Sequence, residues 1–280
     1  MSYEQHFGLT EQPFSNAADG RFFFESEQHQ EAMLRIQHSV STMKGLTVAI
    51  GGPGAGKTLL ARRVLDKLEE HGGEYEAALL VIVHSEVSAD WLLKKIATQL
   101  GVREPAERKA DLLPQLFERL TEIHASGRKA CVIIDEANML RSKDIFEEFR
   151  GLSNLEVPGR KLISIVLFGL PELQTNMAID PPLVQRIAVK VGIKPLDAAG
   201  TANYVRHRMA VAGSQTEVFD PDALAEVHRI SQGVPRLINT LCDNALLEAF
   251  LLKRSRAGAE MIQDVARDLG VEPNLGLESN

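Results

Sequence analysis

Only two of the 280 residues are cysteines, Cys131 and Cys242, and both stand in apolar stretches. Two cysteines cannot build a disulfide framework, so they read as small buried hydrophobes in a reducing compartment. No apolar run approaches the roughly 20 residues of a membrane-crossing helix. The longest, Ala77–Val83 and Leu162–Phe168, have the length of strands. Met1-Ser2-Tyr3-Glu4 is not a basic region followed by an apolar one, so no export signal is read and the cytoplasm is the expected location. Positive charge is in deficit. The chain has 31 Lys and Arg against 38 Asp and Glu, a net charge of −7, which argues against adhesion of the whole chain to nucleic acid or anionic lipid. The eight histidines show no metal-ligand spacing. Internal repeats and low-complexity tracts are also missing.

With 44% apolar and 25% charged residues the chain has the composition of an ordinary folded protein, and its length suits a large α/β domain with a smaller appendage. Residues 1–26 carry Phe7, Phe14, Phe22, Phe23 and Phe24 among Gly8, Pro13 and Gly20, which predicts an extended segment wrapping the domain behind it. A helix is predicted over 27–43. Strands are predicted at 46–50, 77–83, 130–134, 162–168 and 187–193. They alternate with amphipathic helices, including one capped by Ser88 and one over 109–125. Near-continuous apolar strands between such helices indicate a parallel sheet covered on both faces, over 27–195. From 196 to 270 the pattern is helical only, at about 198–212, 221–231, 235–253 and 259–269, and 271–280 reads as a frayed tail.

The strongest motif is Gly51-Gly52-Pro53-Gly54-Ala55-Gly56-Lys57-Thr58, with Leu59 behind it, set between a strand and a helix. Glycines let the backbone N–H groups curl toward phosphate oxygens, and the helix N-terminus adds positive potential. Lys57 suits the β- and γ-phosphates of ATP, and the Thr58 hydroxyl suits its Mg²⁺. The second motif, Cys131-Val132-Ile133-Ile134-Asp135-Glu136, ends an apolar strand in two acids. Asp135 is the expected second Mg²⁺ ligand, and Glu136 the base that would deprotonate an attacking water.

The order of these motifs, the next apolar strand and the helical C-terminal part resemble an AAA+ ATPase: a three-layer α/β domain followed by a small helical lid. More narrowly, Phe7-Gly8-Leu9, Pro13-Phe14-Ser15, Arg21-Phe22 and Gln28-His29-Gln30-Glu31-Ala32 resemble the N-terminal signature of ExeA-type (GspA) ATPases of the general secretion pathway. Gly169-Leu170-Pro171-Glu172-Leu173, Gln185-Arg186-Ile187 and Gly233-Val234-Pro235-Arg236 extend the likeness to about residue 250. The resemblance implies that Arg186 is an arginine finger acting on a neighbouring subunit's site, and hence a homo-oligomer. It also implies that Arg236 is a second sensor, reading the γ-phosphate in its own subunit.

One position departs from the pattern. The family commonly has a polar, phosphate-sensing residue after Gly169, and here it is Leu170. The first sensor is left unassigned, with Ser164 or Asn154 as substitutes, and slow hydrolysis with ATP as an assembly switch is expected. Phe14 and Phe22 are candidates to cover the adenine, or simply to pack on the core. Members of the type commonly continue into a membrane span and a peptidoglycan-binding portion. This chain ends before either, so recruitment to the membrane is expected through a secretion or envelope partner.

The competing reading is a regulator of transposition similar to the TnsC or TniB type, oligomerising on duplex DNA. Lys94, Lys95, Arg103 and Arg108 are the best candidates for a DNA-facing stripe. The basic pairs Arg62-Arg63, Lys94-Lys95 and Arg160-Lys161 also read as solvated faces. A small-molecule kinase would leave Glu136 and Arg186 without a role.

Overall fold

The computed structural model describes residues 2–17 and 19–271, and beyond Val271 the expected tail falls outside them. The chain divides into two compact units. One holds Glu27–Gly52 and Lys57–Ile193; the other holds the residues up to Ser26, the loop tip Pro53–Gly56 and the chain from Lys194.

In the first unit five strands lie parallel: β1 (Leu46–Gly51), β2 (Tyr75–Val81), β3 (Lys129–Asp135), β4 (Ile163–Gly169) and β5 (Ile187–Ile193). Their order across the sheet is β2-β3-β4-β1-β5. The three central strands are aliphatic and buried at nearly every position, whereas the edge strand β2 is only partly buried and the edge strand β5 leaves alternate residues open to solvent. The helices of this unit are α1 (Glu27–Ser41), α2 (Lys57–Glu69), α3 (Ala89–Gln99), α4 (Lys109–Ala125), α5 (Lys143–Leu152), α6 (Glu172–Met177) and α7 (Pro181–Val184). The period of two along a strand sends Val132, Ile134, Ile165 and Leu167 into one core with Leu92, Leu116 and Phe146 of α3, α4 and α5. On β1, Thr47 donates a 2.7 Å hydrogen bond to Ser39 of α1. Both cysteines are fully buried, and burial alone pushes the Cys131 thiol up to about 12, far from a reactive thiolate.

The second unit is helical: α8 (Ala198–Val211), α9 (Pro221–Ser231), α10 (Pro235–Leu251) and α11 (Ala259–Asp268). Asp197 and Asp220 cap α8 and α9 by accepting from Gly200 N and Ala223 N at 2.6 and 2.7 Å, and Pro221 and Pro235 fill first-turn positions where no N–H is needed. Gly233, at φ 73°, turns the chain into α10. A Cβ there would stand 1.8 Å from the Leu196 carbonyl oxygen, so only glycine fits.

Here the expected course of the N-terminal segment is corrected. Phe7, Leu9, Phe14 and Phe22 enter the apolar core of this helical unit, with Val205, Met209, Ile238 and Leu246, because their rings find an apolar face on these helices. Phe14 stacks edge-on with Phe219 at 5.9 Å, and the Arg208 guanidinium sits 4.8 Å over Phe22. Both rings are buried in this packing.

Smaller differences have local causes. α1 ends at Ser41 because Met43 adopts a left-handed φ of 52°. β2 starts two residues early, since Tyr75 pairs with Lys129, and ends before Val83, which is exposed. The pattern did not foresee α6, α7, the capped turn Tyr3–His6 or the hairpin Glu156–Val157/Arg160–Lys161; all are too short to show a period.

Candidate active site

The phosphate-loop residues leave β1 and enter α2 at Lys57. Gly54 and Gly56 take φ of 71° and 88°, a left-handed course that a side chain would strain. Lys57 is buried, and its Nζ donates to the carbonyl oxygens of Gly51 and Gly52 at 3.0 and 2.9 Å, which holds the ammonium at the base of its own loop. Thr58 and Leu59 follow in the first turn of α2, both half-buried. The loop tip groups with the helical unit, where Arg236 N donates to Gly54 O at 3.3 Å. A Cβ on Gly54 would come within 2.8 Å of the Arg236 Cβ. Arg236, drawn from the far end of the sequence, thus stands at the loop tip. Its side chain is exposed and makes no ion pair among the described residues.

Asp135 closes β3. It is fully buried, and neither carboxylate oxygen has a hydrogen-bond partner among the described residues. A buried carboxylate without partners is costly, by several kcal/mol, and a cation answers that cost. Its acceptor-only chemistry, with the Thr58 hydroxyl, fits a hard divalent ion. Glu136 takes a left-handed turn, φ 55° and ψ 34°, so it leaves the ladder instead of continuing the strand's alternation.

Arg186 follows α7 and is exposed. Its Nε and Nη2 donate to Asn154 Oδ1 at 3.2 and 3.0 Å and its Nη1 to the Pro182 carbonyl at 3.1 Å. α7 is in turn fixed by buried Asp180, which accepts from Leu183 N and from Arg150 Nε, both at 3.2 Å. The guanidinium is oriented by neutral acceptors, and no carboxylate among the described residues neutralises it.

Neither substitute for the first sensor suits that task. Ser164 lies at the start of β4 opposite Cys131, four residues, or about 13 Å of strand, before the level of Asp135. Asn154 holds Arg186. A polar residue that sequence reasoning missed, Asn138, does sit at the end of β4, where its Oδ1 accepts from Leu170 N at 2.9 Å. Its signal was the distance of three residues from Asp135. Among the nominated cations, Lys94 pairs with Glu107 at 2.6 Å, Arg108 with Asp111 at 3.8 Å, and the Lys95 ammonium lies 5.7 Å from the Trp91 ring centroid.

The sequence model of the family described as AAA domain matches residues 40–177. General secretion pathway protein A of Aeromonas hydrophila is 35% identical over 252 residues, 89% of this chain and 45% of its own. The chain therefore spans less than half the length of that relative. Among solved structures, the ORC2 protein of Aeropyrum pernix, in ADPNP–ADP complexes, has a TM-score of 0.68 at 16% identity, covering 92% of this chain and 71% of its own. The ORC1 protein of the same organism, in complex with DNA, has a TM-score of 0.63 at 20% identity, covering 88% and 66%. At such identities the likeness establishes the fold alone. Among the described residues no helix is long and apolar enough to cross a membrane. Residues 40–177 thus match the AAA domain family, the fold is that of the ORC proteins above, and the chain is related in sequence to general secretion pathway protein A.

Proposed function

We propose that the chain binds ATP with Mg²⁺, hydrolyses it, and uses the cycle to assemble with further copies of itself in the service of a secretion or envelope-building machine, acting from the cytoplasm. The observation that carries the nucleotide reading is Asp135: a fully buried carboxylate with no hydrogen-bond partner among the described residues, at the end of β3, one strand away from the β1 strand that feeds the phosphate loop. Loop N–H groups and Lys57 would hold the β- and γ-phosphates, and Asp135 and Thr58 would hold the metal. When bound, Mg²⁺ supplies charge neutralisation on the phosphate oxygens. Glu136 takes a proton from water as its oxygen bonds to the γ-phosphorus and the bond to the ADP oxygen breaks. Arg236, beside Gly54, reads nucleotide state for its own chain. Arg186, exposed and unneutralised, serves a neighbouring copy, as an arginine finger does. The 35% identical relative supports the secretion task, and the fold neighbours crystallised with ADPNP and ADP support the nucleotide.

Calorimetry and turnover on the purified chain test this reading. Lys57→Ala loses measurable ATP affinity; Glu136→Gln keeps it and loses turnover by about 10²-fold or more. Turnover of the unmodified chain is slow, and a value above about 10 per second would contradict the assembly-switch reading. Negative-stain imaging with a slowly hydrolysed ATP analogue, with and without duplex DNA, reads the task. Closed rings indifferent to DNA support the secretion reading. Oligomers formed only on DNA replace it with a transposition-type regulator, and unchanged affinity in Lys57→Ala overturns the nucleotide site.

A further inference from the structure

The C-terminal end of β4 is where the sheet brings together the two halves of the nucleotide chemistry. β4 lies between β3, which ends in Asp135, and β1, which runs into the phosphate loop; Ile134 pairs with Leu167, and Ile50 with Gly169. The next residue, Leu170, offers no polar side chain. The turn Ala137–Met139 is pressed against this strand end, since a Cβ on Gly169 would stand 3.2 Å from Asn138 N. On that turn the Asn138 Oδ1 accepts from Leu170 N at 2.9 Å. Asn176 Nδ2 ties the same turn from the other side, donating to the carbonyls of Asn138 and Leu140 at 2.9 and 3.1 Å. The N–H of Leu170 settles the orientation of the Asn138 amide, because only the oxygen end can accept. Nδ2, with two donor hydrogens, is the opposite end. It has no hydrogen-bond partner among the described residues, yet it is not one of the solvent-sealed orphan atoms, so it keeps contact with solvent on an otherwise buried residue.

We propose that Asn138 Nδ2 is the donor that reads the terminal phosphate, standing in for the polar side chain absent at position 170. The proposal rests on the ATPase reading above. An oriented donor, held by a backbone N–H on one side and a tied turn on the other, needs little rearrangement as charge develops on the phosphate. That preorganisation gives such groups their effect on rate. The backbone of Leu170 still serves the site, by orienting the amide of a residue supplied from the turn that follows β3.

Three variants separate sensing from structure. Asn138→Asp keeps an oxygen for Leu170 N–H and removes the Nδ2 donors; Asn138→Ala removes both; Asn138→Ala with Leu170→Asn returns an amide to the strand end. Asn138→Asp is expected to keep the melting temperature and ADP affinity, lose its preference for an ATP analogue over ADP, and lose kcat by about 10²-fold with little change in KM. The double variant is expected to recover at least about tenfold over Asn138→Ala, a rescue of the size that a single donor supplies. Asn138→Asp turnover equal to that of the unmodified chain, or a double variant no faster than Asn138→Ala, overturns this proposal alone. An unmodified chain with no turnover above the Lys57→Ala background overturns the ATPase reading and this proposal with it.

Discussion

Asp135 and Arg208 are both charged and both buried, one in each unit, and they are treated in opposite ways. Arg208, 4% exposed, donates to the carbonyls of Pro13 and Ser15 at 2.5 and 2.9 Å and to the Tyr204 hydroxyl at 2.9 Å. Tyr204 passes its own hydrogen to Asn239 at 2.9 Å, and Asn239 donates to Asn16 at 3.0 Å. That network ties the N-terminal segment to the helices through Pro13, Ser15 and Asn16, and its donors are used within the chain. Asp135 has no such network. Asn138 and Arg186 share the pattern: each is oriented by neutral groups and each keeps donors or charge unspent. A satisfied buried charge reads as structure, and an unsatisfied one reads as a site kept for something arriving from outside the chain.

The largest test of that contrast concerns Arg186. Its replacement by alanine removes only bonds to Asn154 and Pro182 at the surface, so the fold is expected to keep its melting temperature. Turnover is nevertheless expected to fall by about 10³-fold. Mixing Arg186→Ala with Glu136→Gln, which keeps its finger, should then restore part of the activity. A mixture no more active than its components would place Arg186 in its own subunit's chemistry, or outside it.

Much of this was legible in the sequence. The strand, loop and helix around Lys57, the acid pair ending β3 and the covered parallel sheet all follow from period and spelling, because loop chemistry and strand burial are local properties. The partner of the N-terminal segment was not legible. Phe14 and Phe22 announce burial, but nothing local says that the receiving face comes from helices about 200 residues later. Asn138 was missed for a related reason. Its meaning depends on Leu170 N, across a strand pairing, and Leu170 itself looked like a lost function. Ser164 failed as a substitute because strand register, invisible in composition, places it at the wrong end of β4.

Arg208→Met sharpens the other side of the comparison. Methionine keeps much of the apolar stem but leaves the carbonyls of Pro13 and Ser15 without their donor. Unsatisfied buried acceptors cost about 1–3 kcal/mol each, so a loss of about 3 kcal/mol is expected. At about 2–4 °C per kcal/mol that lowers the melting temperature by roughly 6–12 °C. Scanning calorimetry with and without nucleotide checks it. A variant as stable as the parent would mean that the clamp on the segment is incidental and that satisfied burial is no guide to structure.

The smallest effect, and the one of opposite sign, is expected from Asp135→Asn. The substitution keeps the shape and removes a charge that burial penalises and no partner repays, so the nucleotide-free protein should gain about 1 kcal/mol, or roughly 2–4 °C. Mg²⁺ and ATP at about 100 times the dissociation constant should stabilise the parent by about 2.7 kcal/mol, and the variant by less, because a metal ligand has lost its charge. The two proteins should therefore exchange rank: the variant melts higher without nucleotide and the parent higher with it. An Asp135→Asn protein less stable than the parent in the absence of nucleotide would show that the carboxylate is held by the fold for the fold's sake. The contrast between the two units would then collapse at the residue that defines it.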